Sequence, residues 1–227
     1  MRREHNPVSY YDDHAEEFLL ATQDADMGVV LACFLEELSD GLSVLDWGCG
    51  SGRDSLALLA AGCDVTAVDL SSAMCAATAA LTGLEPRNES FFDLDDVDRY
   101  DGIWASASLL HVPSVDLPAV LHRAATALKP RGALYCSFKY GTGELERNGR
   151  FFNDMTEEKF TSLLGSVPSL RLVETWVTED VRPERAGELW LNCLLRRVWP
   201  IAVQARRCLP SACGLKCRVH IRLVLPG

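Results

Sequence analysis

The sequence predicts a single α/β domain built around a parallel sheet, and three observations support this. Short apolar runs of four to eight residues alternate with longer segments of helical periodicity. The 227 residues, of which 48% are hydrophobic, suffice for one sizeable core. A glycine-rich loop directly follows the first apolar run. Because alternating strands and helices are typical of βαβ units, we expect the strands to be parallel.

Five short apolar runs are the candidate parallel strands. They are residues 44–48, 64–69, 89–94, 101–107 and 132–139. Segments with apolar residues at helical spacing precede the first run and separate several of the others. The predicted core-facing residues of these helices are Leu31, Phe34, Leu35 and Leu38, then Leu56, Leu59 and Ala60, then Leu117, Leu121, Ala124 and Leu128. Gly62 is placed to end the second of these helices in the left-handed conformation.

The pattern changes after the fifth strand. The segment TEEKFTSLLG predicts a helix capped by Thr156, and LRLVETWVTED and ELWLNCLLRRV predict two strands that pair as an antiparallel edge. Residues 199–227 contain five Lys or Arg and no Asp or Glu, whereas the preceding 198 residues carry a net charge of −15. We therefore expect one domain over residues 1–198 and a basic tail outside its core. The tail residues Cys208, Cys213, Cys217 and His220 lack the C-x2-C pairs of zinc sites, so no metal is predicted.

Composition and charge limit the classes of partner. A net charge of −10 disfavours nucleic acid, whose binding depends on clustered Lys and Arg, and favours a small molecule. Neither a membrane span nor a signal peptide is predicted, since no apolar run is long enough and the N-terminus is polar. Five of the nine cysteines lie singly in apolar segments, which predicts free thiols and a cytoplasmic location: Cys33, Cys49, Cys63, Cys75 and Cys136. Oligomeric state is not predicted.

The stretch DWGCGSG indicates a loop that approaches a ligand closely. Gly48, Gly50 and Gly52 follow a strand and open a helix, so no Cβ atom separates the backbone from a bound molecule. A dinucleotide fingerprint would need glycine where Arg53 stands. At the end of the next predicted strand, Asp69 could accept hydrogen bonds from two ribose hydroxyls. These features predict a ligand with a ribose and without a diphosphate.

The stretches VLDWGCGSG and VTAVDLS resemble the first two motifs of the class I S-adenosylmethionine-dependent methyltransferases, and LKPRG resembles a later turn in which Arg131 replaces a glycine. The resemblance covers roughly residues 10–198. It implies a Rossmann-like three-layer sandwich with a mostly parallel seven-stranded sheet and an antiparallel last strand, and S-adenosylmethionine as cofactor. The stretches GSGRDS, YDGIWASASLLHVP and SFKYG resemble a tellurite-resistance-type group of small-molecule methyltransferases.

The resemblance also assigns residues to the cofactor. It places Gly48 and Gly50 at the methionyl end of the cofactor. Asp46 is expected to orient either the glycine loop or the amino group of the cofactor, and Asp69 is expected to bind the ribose. An N-terminal lid within residues 1–40 would bring a tyrosine to the methionyl carboxylate, with an aromatic anchor as the alternative role. The full set of expected cofactor contacts is Tyr11, Asp46, Gly48, Cys49, Gly50, Asp69, Leu70, Met74, Phe92 and Ala105, where Leu70, Met74 and the Phe91–Asp93 region flank the adenine.

The acceptor is expected over the ends of the fourth and fifth strands. His111, in the loop after the fourth strand, is the candidate proton acceptor, the alternative being a helix-entry residue bonded to backbone. Lys139, Arg150 and Arg182 are expected to hold an anionic acceptor against an aromatic wall from Trp190.

Three activities remain open from the sequence: methylation of a small molecule, methylation of an RNA or protein, and cofactor binding without catalysis. The acidic composition and short loops disfavour the second activity, and the complete glycine motif with Asp69 argues against loss of cofactor binding. A nicotinamide-dependent dehydrogenase is disfavoured by Arg53.

Overall fold

The fold is a seven-stranded sheet with helices on both faces. The computed structural model describes residues 10–198 except 13, 23–24, 39–40 and 148. The strands are β1 (Ser43–Trp47), β2 (Asp64–Asp69), β3 (Arg87–Asn88), β4 (Tyr100–Ala105), β5 (Leu128–Lys139), β6 (Glu144–Arg147), β7 (Arg150–Asn153), β8 (Leu170–Glu179) and β9 (Leu189–Arg197). The α-helices are α1 (Ala15–Thr22), α2 (Gly28–Glu36), α3 (Arg53–Ala60), α4 (Ser72–Thr82), α5 (Leu117–Ala127) and α6 (Glu157–Leu164). Short 3-10 helices cover Leu109–His111 and Pro183–Arg185.

The sheet has the strand order β3-β2-β1-β4-β5-β9-β8. The pairs from β3 to β5 are parallel, and β9 is antiparallel to both of its neighbours. This confirms the predicted mostly parallel sheet with an antiparallel last strand. The predicted pairing of the two C-terminal strands is confirmed. Of these two strands, only β8 lies at an edge of the sheet, because β9 lies between β5 and β8. Strands β6 and β7, which the sequence analysis did not predict, form a separate hairpin.

Two apolar clusters make the fold a three-layer sandwich. On one face, Leu121 of α5 and Phe160 of α6 pack with residues of β4 and β5 such as Ile103. On the other face, Phe34 of α2 and Leu58 of α3 pack with a second set of strand residues. Because side chains alternate along each strand, consecutive strand residues contribute to opposite clusters.

The buried face of α3 differs from the prediction. Leu58 is buried, whereas Leu56 is 43% exposed. The residues that share the inner face with Leu58 are polar: Asp54 accepts a hydrogen bond from Trp104, and Ser55 donates one to Asp46. Of the three residues expected on the inner face, Leu59 packs half-buried against the second cluster, whereas Leu56 and Ala60 are exposed, because polar side chains occupy part of the buried face.

The third strand does not lie where it was predicted. β3 covers Arg87–Asn88, and of residues 89–94 the Glu89 N–H still bonds to the Asp69 carbonyl of β2. From Ser90 onward the chain leaves the sheet, because the Asp93 carboxylate accepts hydrogen bonds from the Ser90 backbone N–H and hydroxyl and folds the chain into a turn. Leu128, expected at the end of a helix, instead begins β5, and Leu35 is only half-buried.

Other local predictions are confirmed. Thr156 caps α6 by accepting a hydrogen bond from the Lys159 N–H, and Gly62 adopts a positive φ of 88° after α3. Among the described cysteines, Cys33 is exposed, contrary to expectation, while Cys49, Cys63, Cys75, Cys136 and Cys193 are buried free thiols. No helix in the described part of the chain is long and apolar enough to cross a membrane. The predicted tail, with Cys208, Cys213, Cys217 and His220, lies outside the described residues.

Candidate active site

The loop after β1 is tied to the end of β2. The backbone N–H groups of Gly48 and Cys49 both donate to the Val68 carbonyl, at 2.8 and 3.0 Å. Gly48 has a φ of 91°, and a Cβ atom there would stand 2.4 Å from the Ser108 Cβ. Ser108 is itself fixed, because its hydroxyl donates to the Trp47 carbonyl at 2.7 Å. Position 48 therefore requires glycine for both conformation and space.

Asp69 lies at the carboxyl end of β2, beside this loop. One carboxylate oxygen accepts the Gly50 N–H and the other accepts the Ser71 N–H, both at 2.9 Å. Burial raises the pKa of Asp69, and these backbone hydrogen bonds oppose the rise. Because each carboxylate oxygen has two acceptor positions, the group can still accept two hydroxyl donors.

A cavity of about 600 Å³ opens over this edge of the sheet. Its volume is in the usual range for small-molecule sites. Most of the residues expected at the site line it: Tyr11, Gly48, Cys49, Gly50, Asp69, Leu70, Met74, His111, Lys139, Arg150, Arg182 and Trp190. The structure therefore brings the expected cofactor and acceptor residues to one cavity.

Three residues expected at the cofactor do not line this cavity. Phe92 is 44% exposed in the turn after β3, and the neighbouring Phe91 occupies the wall instead, packed edge-on against Trp47. Ala105 is completely buried at the end of β4. Asp46 lies beneath the glycine loop and is also buried.

Asp46 has a position suited to supporting the loop. Its carboxyl group accepts the Ser55 hydroxyl at 2.5 Å, which links β1 to the first turn of α3. Burial, reinforced by the nearby Asp54 charge, raises the pKa of Asp46 to about 8. Asp46 is therefore largely protonated at neutral pH and adds little charge to the site.

Tyr11 and His111 form a hydrogen-bonded pair in the cavity wall. The Tyr11 hydroxyl lies 2.8 Å from His111 Nε2, and His111 Nδ1 lies 2.7 Å from the Phe151 carbonyl oxygen. A carbonyl only accepts, so Nδ1 carries the proton and Nε2 of the neutral ring accepts from Tyr11. Burial lowers the pKa of His111 to about 4, so the ring is neutral at physiological pH. The neutral imidazole is therefore the base of the pair, and its Nε2 is the atom that can take the proton of the Tyr11 hydroxyl.

Lys139, Arg182 and Trp190 meet at a buried carboxylate. Asp180 accepts two hydrogen bonds from the Arg182 guanidinium and one from the Trp190 indole N–H, and Lys139 Nζ lies 3.5 Å away. Although burial opposes the shift, the hydrogen bonds from Arg182 and Trp190 hold the pKa of Asp180 well below its usual range. Lys139 also forms an ion pair with Glu188. Two of the three cations expected at the acceptor are thus neutralised by the protein.

Trp176 and Asp180 are among the wall residues that were not predicted from the sequence. The ion pair of Asp180 with Arg182 could have been predicted, because Asp180 stands directly before the basic stretch that holds Arg182. Trp176 could not be predicted, because β8 reaches the cavity only through the tertiary fold.

Comparison with known proteins agrees with this geometry. Residues 44–132 match the family model described as a methyltransferase domain. A ubiquinone biosynthesis O-methyltransferase of Xanthomonas oryzae is 36% identical over 105 residues, which is 43% of each chain, so the match spans less than half of that relative. A carboxy-S-adenosyl-L-methionine synthase of Geobacter metallireducens is 26% identical over 193 residues, covering 74% of this chain and 78% of the relative.

A solved structure extends the similarity to most of the fold. The 1,6-didemethyltoxoflavin-N1-methyltransferase of Burkholderia thailandensis, crystallised with 1,6-didemethyltoxoflavin and S-adenosylhomocysteine, is 27% identical with a TM-score of 0.68, covering 85% of both chains. The cavity fits a cofactor of that kind, since Gly48 leaves no room for a side chain and Asp69 retains acceptor capacity. The matched domain over residues 44–132, the strand order and the glycine loop together identify a methyltransferase domain with the Rossmann-like fold of the class I S-adenosylmethionine-dependent methyltransferases.

Proposed function

We propose that this chain transfers a methyl group from S-adenosylmethionine to a small-molecule acceptor. The observation that carries the proposal is one cavity with the glycine loop and Asp69 in its wall, together with a hydrogen-bonded Tyr11–His111 pair. Two similar proteins bear names that refer to small molecules, in ubiquinone biosynthesis and in toxoflavin N1-methylation. The subgroup resemblance stays a prediction.

Residues around the loop are proposed to hold the cofactor. When bound, S-adenosylmethionine supplies an electrophilic methyl group on a sulfonium, which departs as a thioether when an acceptor attacks. Gly48 and Gly50 present backbone to the methionyl part, and Asp69 accepts the ribose hydroxyls. Leu70 and Met74, with Phe91 in the place expected for Phe92, provide apolar wall for the adenine.

The Tyr11–His111 pair is proposed to take the proton of the acceptor. The nucleophilic N–H or O–H donates to the Tyr11 oxygen, and the Tyr11 proton moves to His111 Nε2, which gives a neutral tyrosine and an imidazolium. Burial lowers the pKa of His111 and makes it a weaker base, but the proton transfer becomes favourable as the bond to the methyl group forms, because the nucleophile then becomes much more acidic. The cavity wall holds the partners in place and excludes water.

A reducing, cytoplasmic location belongs to the same proposal. The six described cysteines are free thiols, as expected where disulfides do not persist.

Methyl transfer is tested by incubating the protein with methyl-deuterated S-adenosylmethionine and a panel of phenols, amines and small acids. The proposal expects S-adenosylhomocysteine and a deuteromethylated product, both dependent on an acceptor, when mass spectrometry is used for detection. A protein that binds the cofactor but produces no more S-adenosylhomocysteine with the panel than without it would be a binding module instead.

The proton role is tested with Tyr11→Phe and His111→Asn on an acceptor from that panel. Loss of a general base typically slows turnover about 10²- to 10⁴-fold, and we expect losses of this size in both variants. Unchanged cofactor affinity in Tyr11→Phe would assign Tyr11 to the proton of the acceptor and not to the methionyl carboxylate. Tyr10→Phe is the matched control, because Tyr10 lies in the same segment and packs edge-on against Tyr11. Equal losses in all three variants would indicate a structural role for the segment.

A further inference from the structure

Arg150, at the start of β7, has an unusual environment for a charged side chain. Its guanidinium carbon lies 4.7 Å from the centre of the Tyr10 ring, 5.2 Å from Phe152 and 5.7 Å from Tyr11. Its Nε is buried and has no hydrogen-bond partner. Among the described residues, no carboxylate forms an ion pair with Arg150, and its one side-chain hydrogen bond goes to the Tyr11 hydroxyl at 3.4 Å. Cation–π contacts hold the group in place without neutralising it.

The other cations of the cavity have carboxylate partners. Asp180 binds Arg182, Glu188 binds Lys139, and Arg185 lies 3.7 Å from Glu188. Arg53 pairs with Asp54. Partial burial of a charge without a partner costs free energy, so Arg150 is the cavity cation whose charge a bound anion would satisfy best.

The position of Arg150 relates this charge to the proposed chemistry. Arg150 lines both the main cavity and a second cavity of about 670 Å³ beside it, together with Phe152. The Tyr11 hydroxyl contacts both Arg150 and His111. An anionic group on Arg150 would therefore lie only a few bonds from an atom that donates its proton to Tyr11.

We infer that Arg150 is the binding site for the carboxylate of the methyl acceptor, and that the acceptor is a small hydroxy- or amino-carboxylic acid whose nucleophilic atom lies a few bonds from that carboxylate. This inference rests on the proposed function. It replaces the three cations expected from the sequence with one, since Lys139 and Arg182 are bound to Asp180. A guanidinium presents paired N–H donors that match a carboxylate.

The test uses the full chain saturated with S-adenosylhomocysteine. It is titrated by calorimetry with 2-hydroxybenzoate and 2-aminobenzoate, and with the corresponding neutral amides. We expect at least one acid to bind at least tenfold more tightly than its amide. Arg150→Met, which keeps an unbranched side chain against the rings, should abolish this preference, and Arg150→Lys should retain part of it.

Arg185→Gln is the matched control, because Arg185 lines the same two cavities but has Glu188 as partner. An equal loss of preference in Arg185→Gln would indicate a diffuse charge effect and would overturn the assignment. Absence of any preference in the wild type would overturn it as well.

The carboxylate of the cofactor is the other possible source of the anion. If Arg150→Met weakens the binding of S-adenosylhomocysteine tenfold and leaves the binding of the acids unchanged, Arg150 binds the cofactor and the inference is wrong. The proposed function would be unaffected by that result, because it is measured separately as deuteromethyl transfer.

Discussion

Asp46 and Asp69 show how two acids at strand ends acquire different roles. Asp69 faces the cavity and is held by two backbone N–H groups, whereas Asp46 is enclosed and bonded to Ser55. The resemblance placed both among the cofactor residues, with Asp69 at the ribose and Asp46 orienting either the glycine loop or the cofactor amino group. Which of them faces the cavity depends on the packing of α3, which the apolar pattern did not give correctly.

Replacing Asp69 with Ala should weaken cofactor binding about 10- to 100-fold. The loss corresponds to two hydrogen bonds to a charged acceptor, each contributing on the order of 1 kcal/mol or more. Calorimetric titration with S-adenosylhomocysteine measures it. Asp64→Ala, at the exposed opposite end of β2, is the control and should bind normally. An unchanged affinity in Asp69→Ala, with the melting temperature preserved, would rule out the ribose role.

Asp46→Asn should change how stability depends on pH. The pKa of Asp46 in the folded state is about 8, and the unfolded value is about 3.9, so between these values the folded state binds the extra proton. Wild-type stability should therefore fall as pH rises through this window, by at most about 1.4 kcal/mol per pH unit from this group. Asn cannot ionise, so the variant lacks this slope. Denaturant unfolding from pH 5 to 8 should show the free energy of unfolding of Asp46→Asn rising relative to that of the wild type. If the two free energies change in parallel with pH, the raised pKa of Asp46 is wrong.

At the scale of elements, the sequence predicted helix caps and helix ends correctly, because contacts within a few residues decide them. The Thr156 cap and the left-handed glycines at helix ends follow from hydrogen bonding and backbone sterics within a few residues. The extent of β3 and the buried face of α3 were predicted wrongly, because a side-chain turn at Ser90–Asp93 and buried polar contacts of Asp54 override the apolar pattern. The β6–β7 hairpin was not predicted, although it carries Arg150.

Arg131→Gly should stabilise the irregular first residues of β5. Arg131 has a φ of 67°, a left-handed conformation that costs a side-chain-bearing residue about 1 kcal/mol, which exceeds the extra entropy of glycine in the unfolded chain. The described contact at this residue, from Arg196 to the Arg131 carbonyl, involves the backbone and is retained. Thermal unfolding should show a higher melting temperature for Arg131→Gly and no gain for Arg131→Ala, which keeps the strain. A gain in both variants would show that the side chain, not the backbone, is unfavourable.

At the scale of the whole molecule, the site is formed by segments far apart in sequence. Tyr11 meets His111 across 100 positions and Arg150 across 139. Most of the residues that the motifs assign to the cofactor line one cavity, because the carboxyl ends of parallel strands share one edge of a sheet. The sequence predicted Tyr11, His111 and Arg150 as separate site residues but did not predict that they contact one another. Those contacts depend on how the N-terminal segment, the loop after β4 and the β6–β7 hairpin pack together in the complete fold.

Truncation after Val198 should leave the fold and the cofactor site intact. β9 ends at Arg197 and completes the sheet, and the Val198 N–H bonds to Ser169. The melting temperature and the affinity for S-adenosylhomocysteine should match those of the full chain. A marked fall in melting temperature would show that residues 199–227 contribute to the core, against the proposed boundary at residue 198.

Calorimetric titration of the wild-type chain with S-adenosylmethionine and, separately, with NAD tests the central claim most directly. The glycine loop and Asp69 are the proposed ribose site, and they lack the dinucleotide fingerprint because Arg53 stands at the position of its last glycine. We predict saturable one-to-one binding of S-adenosylmethionine and much weaker or undetectable binding of NAD. Tighter binding of NAD, or no heat of binding with S-adenosylmethionine, would contradict the account.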